Sequence, residues 1–137
     1  RISLMTTLFI CKGNVGRSQM AQAFYEKLTG ETDVISAGTH VHDHEGEKLS
    51  DFGPAAETLM VLSELGIDVS SKQRNQITQE LADRADRIVS IVPEDTLPEY
   101  VTNSGKVIYW DVVDPYKMSL NETRAVRDAI RQLVASL

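Results

Sequence analysis

The sequence predicts an α/β fold: a three-layer sandwich with an open, four-stranded parallel sheet flanked by helices. Short apolar runs rich in strand formers alternate along the chain with segments of helical period. That alternation implies a parallel sheet covered on both faces. The length of 137 residues suits one hydrophobic core, and a single domain over residues 1–137 is expected. No internal repeat, low-complexity tract or linker breaks the pattern.

The elements follow in order. Thr7-Leu8-Phe9-Ile10-Cys11 reads as a first strand and stops at the turn-rich Lys12-Gly13-Asn14-Val15-Gly16. Met20, Phe24 and Leu28 then recur every four residues beside Ala21 and Ala23, and Gly30 supplies the stop of an amphipathic helix. Residues 33–38 form a second strand, and residues 39–53 read as loop. Pro54 stands where a first helical residue belongs, Leu59, Leu62 and Leu65 follow, and Gly66 closes that helix. Residues 68–76 are polar and irregular. Leu81, Ala82 and Ala85 indicate a short helix. Residues 87–92 form a third strand ended by Pro93, and residues 106–110 a fourth. Ser119 and Glu122 make a capping box for a last helix with Val126, Ile130, Leu133, Val134 and Leu137 on one face. Arg124, Arg127 and Arg131 share another side, read as a solvated face with Glu122 and Asp128 interleaved.

Composition narrows the function. Apolar residues make up 42% and charged residues 25%, an ordinary globular balance. The formal net charge is −6, without a Lys/Arg cluster, so neither nucleic acid nor a membrane surface is expected as a partner. Any anion site must be made locally. No apolar run is long enough to cross a bilayer, and the N-terminus lacks a signal-peptide pattern, so the expected location is cytoplasmic. One cysteine excludes an internal disulfide and a cysteine-based zinc site. His40, His42 and His44 alternate at metal-ligand spacing, but with Asp43 and Glu45 beside them they read as a polar surface loop. No metal is assigned. A pH-sensitive loop near the mouth of a site stays open.

In a parallel sheet the ligand sits beyond the C-terminal strand ends. Cys11 ends the first strand, and residues 111–115 follow the fourth, on the same expected edge. Five residues separate Cys11 from Arg17, and Ser18 follows at a helix start. A loop that wraps into a helix N-terminus points successive N–H groups inward and makes an anion cradle. Gly13 and Gly16 permit backbone angles that side chains forbid, and Asn14 tolerates the left-handed region. Arg17 offers a planar fork for two phosphate oxygens. The same positive field favours the thiolate of Cys11, to which Ser18 is placed to donate. Spacing alone leaves open a buried strand-end thiol beside an ordinary turn.

At this point the chain resembles the low-molecular-weight protein tyrosine phosphatases and the arsenate reductases that share their fold. Cys11-Lys12-Gly13-Asn14-Val15-Gly16-Arg17-Ser18 is similar to that family's Cys-x-Gly-Asn-x-x-Arg-Ser loop. Ser36-Ala37-Gly38-Thr39, Gly66-Ile67-Asp68, Gln76-Ile77-Thr78 and Asp114-Pro115-Tyr116 follow in collinear order. The resemblance covers nearly the whole chain. It implies attack by Cys11 on phosphorus, a cysteinyl-phosphate intermediate, and Asp114 as general acid and then base. Lys12, Gly13, Asn14, Val15, Gly16, Arg17 and Ser18 would bind the phosphate. Asn14, Ser18 and Ser36 would brace the loop, and Tyr116 would wall the substrate. No cofactor or metal is implied. The bare reading of Asp114-Pro115 remains a turn.

The chain departs from the family's pattern at several places. Gly16 stands where many members carry a second cysteine, which exposes Cys11 to over-oxidation unless an external thiol rescues it. Gln19-Met20-Ala21 is similar to the arsenate reductase branch. Lys72 takes the place of a frequent histidine, and Ile91-Val92 replaces a Met-Asp pair. Residues 39–50 hold no aromatic wall. Three functions are therefore carried forward. One is a phosphatase acting on a phosphorylated protein or small aryl phosphate. The second is an arsenate reductase using an external small-molecule thiol, since a relay through further cysteines is ruled out. The third is an oxyanion binder without turnover, against which Asp114 argues.

Overall fold

The computed structural model describes residues 5–137. The central strand is β1 (Thr7–Cys11), paired in parallel with β2 (Val34–Gly38) on one side and β3 (Arg87–Ser90) on the other. Strand β4 (Val107–Tyr109) pairs in parallel beyond β3, so the order is β2-β1-β3-β4. Every residue of β1 is buried, because β1 has neighbours on both edges and both faces. The two-residue period of the strand divides it between layers. Phe9 joins a core with Met20, Phe24, Val61, Leu62 and Ile130. Leu8 and Ile10 join a second core with Ile77, Ala82, Ile88 and Val101.

The helices α1 (Arg17–Thr29), α2 (Ala56–Ser63) and α5 (Leu120–Ala135) thus cover one face. The short α3 (Gln79–Arg84) and α4 (Glu99–Thr102) cover the other. The expected open, four-stranded parallel sheet in three layers is the observed one. Among the described residues no helix is long and apolar enough to cross a membrane.

Some expected details change. Leu28 is exposed, because the last turn of α1 runs past the packed layer before Gly30 stops it in the left-handed conformation (φ 70°). Helix α2 buries Thr58, Val61 and Leu62; Leu59 and Leu65 are only half-buried, and Leu65 lies past the helix end. Pro54 falls in a 3-10 turn, Gly53–Ala55, that leads into α2. Residues 39–53 hold two further 3-10 turns, at His42–His44 and Leu49–Asp51. Strands β3 and β4 are shorter than expected, and α4 is one turn, too short to show a helical period. The capping box of Ser119 and Glu122 starts α5 as expected. The arginine face of α5 is corrected. Arg127 is buried, donates to the Val61 carbonyl at 2.9 Å and pairs with Glu64 at 2.7 Å, while Arg124 pairs with Glu64 at 2.7 Å. These arginines clamp α5 to the end of α2.

Candidate active site

The turn between β1 and α1 wraps tightly because two tertiary constraints hold it. Asn14 sits at φ 54°, the left-handed conformation that Asn tolerates. Gly38, at the end of β2, lies directly under the loop. A Cβ there would stand 2.5 Å from the Lys12 carbonyl oxygen and 2.8 Å from the Asn14 nitrogen. Only glycine permits so close an approach of two backbones.

Cys11 is buried at the base of this loop. Its Sγ lies 2.9 Å from Ser18 Oγ and 3.2 Å from the Asn14 backbone nitrogen, which donates to it. The direction of the serine proton follows from its neighbours. Asn14 Oδ1 accepts from the Asn75 backbone at 2.8 Å and from Gln19 Nε2 at 3.2 Å, so its amide nitrogen faces the other way. That nitrogen donates to Ser18 Oγ at 2.7 Å, which leaves the serine proton for sulfur. Two hydrogen-bond donors are therefore aimed at Sγ.

The amides of Gly13, Val15, Gly16, Arg17 and Ser18 make no hydrogen bond to any described residue. Unpaired donors gathered on a loop that opens a helix are the makings of an anion cradle. Arg17 opens α1 yet is buried. Its Nη1 donates to the carbonyls of Ile91 (2.8 Å) and Val112 (3.1 Å), and its Nη2 lies 3.6 Å from Asp114 Oδ2. One guanidinium therefore ties the cradle to the end of β3 and to the segment after β4. Asp114 itself is exposed, and its Oδ1 accepts from the Tyr116 backbone at 3.0 Å, so the expected turn and the approach to Arg17 coexist.

Cys11, Gly13, Gly16, Arg17 and Asp114 line one cavity of about 280 Å³ together with Lys12, Val15, Pro115 and Tyr116, whereas Asn14 and Ser18 are fully buried and not part of its lining. Tyr116 is exposed on its wall, with Lys117 Nζ 5.4 Å from the ring centre. Ser36 does not reach the loop with its hydroxyl, which donates to Gln22 at 2.7 Å. Its link is indirect: Asn75 Nδ2 donates to the Ser36 carbonyl while the Asn75 amide holds Asn14. Lys72 pairs with Glu26 at 3.5 Å, and Gln19 and Asn75 hold Asn14 instead.

Sequence reasoning missed Phe52, Glu57, Thr58 and Arg74 on the cavity wall. Phe52 lies just past residues 39–50, the stretch where the resemblance places an aromatic wall. Arg74 sits in an irregular segment with no period to mark it. His40 also lines the cavity, its Nδ1 2.7 Å from the Thr39 hydroxyl. No group of three or more potential metal ligands assembles among the described residues.

An arsenate reductase of Halalkalibacterium halodurans is 34% identical over 131 residues, 89% of this chain and 86% of that protein. Arsenate reductase 2 of Staphylococcus epidermidis is 31% identical over 96% of this chain and 94% of its own length. The YwlE arginine phosphatase from Geobacillus stearothermophilus superposes with a TM-score of 0.80 at 27% identity, over 96% of this chain and 88% of that one. Vibrio vulnificus Wzb in complex with benzylphosphonate shares the fold with a TM-score of 0.85 at 22% identity, over 98% and 97% of the two chains. The family is enzymatic, and its named members are phosphatases and arsenate reductases. The model of the low molecular weight phosphotyrosine protein phosphatases matches residues 6–137, and this chain belongs to that family.

Proposed function

We propose that the chain is a phosphomonoesterase that hydrolyses phosphotyrosine or an aryl phosphate through a cysteinyl-phosphate intermediate. The observation that carries this reading is the relay from Asn75 through Asn14 and Ser18 to Cys11, set under unpaired loop amides. The thiolate of Cys11 attacks phosphorus, and the ester oxygen leaves with a proton from Asp114. Asp114 then takes a proton from water as that water attacks the phosphocysteine. Phosphate departs and the thiolate is restored. Arg17 and the loop amides hold the equatorial oxygens through both steps. The cycle closes with groups this chain supplies and needs no electrons.

The names of the curated relatives favour a second reading, arsenate reduction. Arsenate would occupy the same cradle. Its reduction to arsenite takes two electrons, and the chain holds one cysteine. Cys11 and an external thiol would supply one each and end as a mixed disulfide, which a further thiol would release. That reading needs a partner thiol outside the chain.

The test is hydrolysis of a chromogenic aryl phosphate, without metal and with reductant, beside Cys11→Ser. Turnover that vanishes in the variant, with phosphate binding retained, supports the hydrolase. Phosphate binding without turnover rejects it; arsenate with small thiols is then assayed, and inactivity there leaves an oxyanion binder.

A further inference from the structure

No step of the proposed hydrolysis uses Arg74, yet it lines the cavity and is only 5% exposed. Its Nε donates to the Gly13 carbonyl at 3.1 Å, and its Nη1 pairs with Glu47 at 2.9 Å. Its guanidinium carbon lies 4.4 Å from the centre of the Phe52 ring, which backs it. Nη2 has no hydrogen-bond partner among the described residues. Every solvent-shielded side-chain nitrogen or oxygen there does have one, so Nη2 keeps contact with solvent, and Arg74 is among the residues that line the cavity. It lies 3.7 Å from the position a Gly13 Cβ would take, beside the cradle.

A guanidinium is costly to bury and is completed best by a planar anion. Its nearest anion, Glu47, occupies Nη1 and leaves the cavity side open. Lys12, Arg17, Arg74 and Lys117 outnumber Glu57 and Asp114 in the cavity lining, although the chain carries a net charge of −6. With Glu47, which pairs with Arg74, counted as well, the charged groups around the cavity still carry one net positive charge. We propose that Arg74, braced by Phe52 and Glu47, is a second anion subsite, and that the site prefers phosphomonoesters bearing a carboxylate next to the phosphate. This proposal rests on the phosphomonoesterase reading and narrows its substrate class.

Two arms test it. One compares kcat/KM for 3-carboxyphenyl phosphate and phenyl phosphate. The other compares phosphotyrosine peptides flanked by Glu or by Gln. Each ratio is read in the wild type, Arg74→Met and Glu47→Gln, so intrinsic reactivity of the probes cancels. The carboxylated probe is expected to lead by about tenfold in the wild type and to lose that lead in Arg74→Met. Glu47→Gln removes the competing charge and widens the ratio. A merely structural Arg74 would slow both probes alike and leave the ratio unmoved. Preference in the first arm alone assigns a small substrate, and in the second alone a peptide; no preference in either overturns the subsite. If neither probe turns over, the hydrolase reading has failed. The subsite is then judged by calorimetric binding of 3-carboxyphenylphosphonate against phenylphosphonate to the same three proteins, where equal affinities reject it.

Discussion

Gly38→Ala tests whether close backbone approach shapes the cradle. The new Cβ would meet the Lys12 carbonyl oxygen at 2.5 Å, the Asn14 nitrogen at 2.8 Å and Val41 Cγ2 at 2.8 Å. Two of these atoms are backbone, so no rotamer change relieves them. Regaining an ordinary 3.4 Å contact with Lys12 requires the loop to rise by about 0.9 Å. Gly38 cannot retreat: its amide donates to the Asn75 carbonyl, its carbonyl accepts from Ile77, and it pairs in register with Cys11. The loop must yield. A displacement of about 1 Å in a reacting group costs on the order of a hundredfold in rate. Overpacking a tight site costs about 1–3 kcal/mol in stability. The expected result is kcat/KM for an aryl phosphate lower by about a hundredfold, with a reduced Tm. Gly53→Ala is the control, since a Cβ there meets nothing within 4 Å. Full activity of folded Gly38→Ala would refute the idea that this approach sets the cradle.

Three further outcomes follow from the site and its supports. Asp114→Asn should slow aryl phosphates with poor leaving groups more than those with good ones, read as a steeper dependence of kcat/KM on leaving-group basicity; an equal loss for all would remove Asp114 as the acid. Ser18→Ala deletes the 2.9 Å donor to Cys11 and should slow both alkylation of Cys11 by iodoacetamide at pH 7 and turnover by about tenfold, with little change in phosphate binding. Glu64 is held below the ordinary carboxylate range by its bond to Arg124 first, and by Arg127 after the opposing effect of desolvation. A depressed carboxyl stabilises the fold above its unfolded titration range and loses that contribution as pH falls through the folded value. Glu64→Gln should therefore lower Tm at neutral pH, and the difference should shrink in acid; a gap constant with pH would argue against the clamp.

The nucleophile loop was legible because its chemistry is contiguous. Cys11 to Ser18 carries the proposed nucleophile, the turn residues and the arginine within one segment at a strand-to-helix junction. Alternating strands and helices determined the sheet in the same way, since a central strand such as β1 must be apolar on both faces. Leu28 shows the limit of periodicity, which knows the face of a helix but not where the covering layer stops. Arg127 shows another: its period matched the exposed arginines, and only the approach of α2 buried it. The orientation of Asn14 depends on Asn75, sixty-one residues away, and the closeness of the loop depends on Gly38 in another strand. Arg74 and Phe52 reach the cavity from segments with no motif. Local residue order determined which groups can react. Long-range packing decided which carbonyls, amides and rings surround them, because those distances exist only once separate segments are brought together.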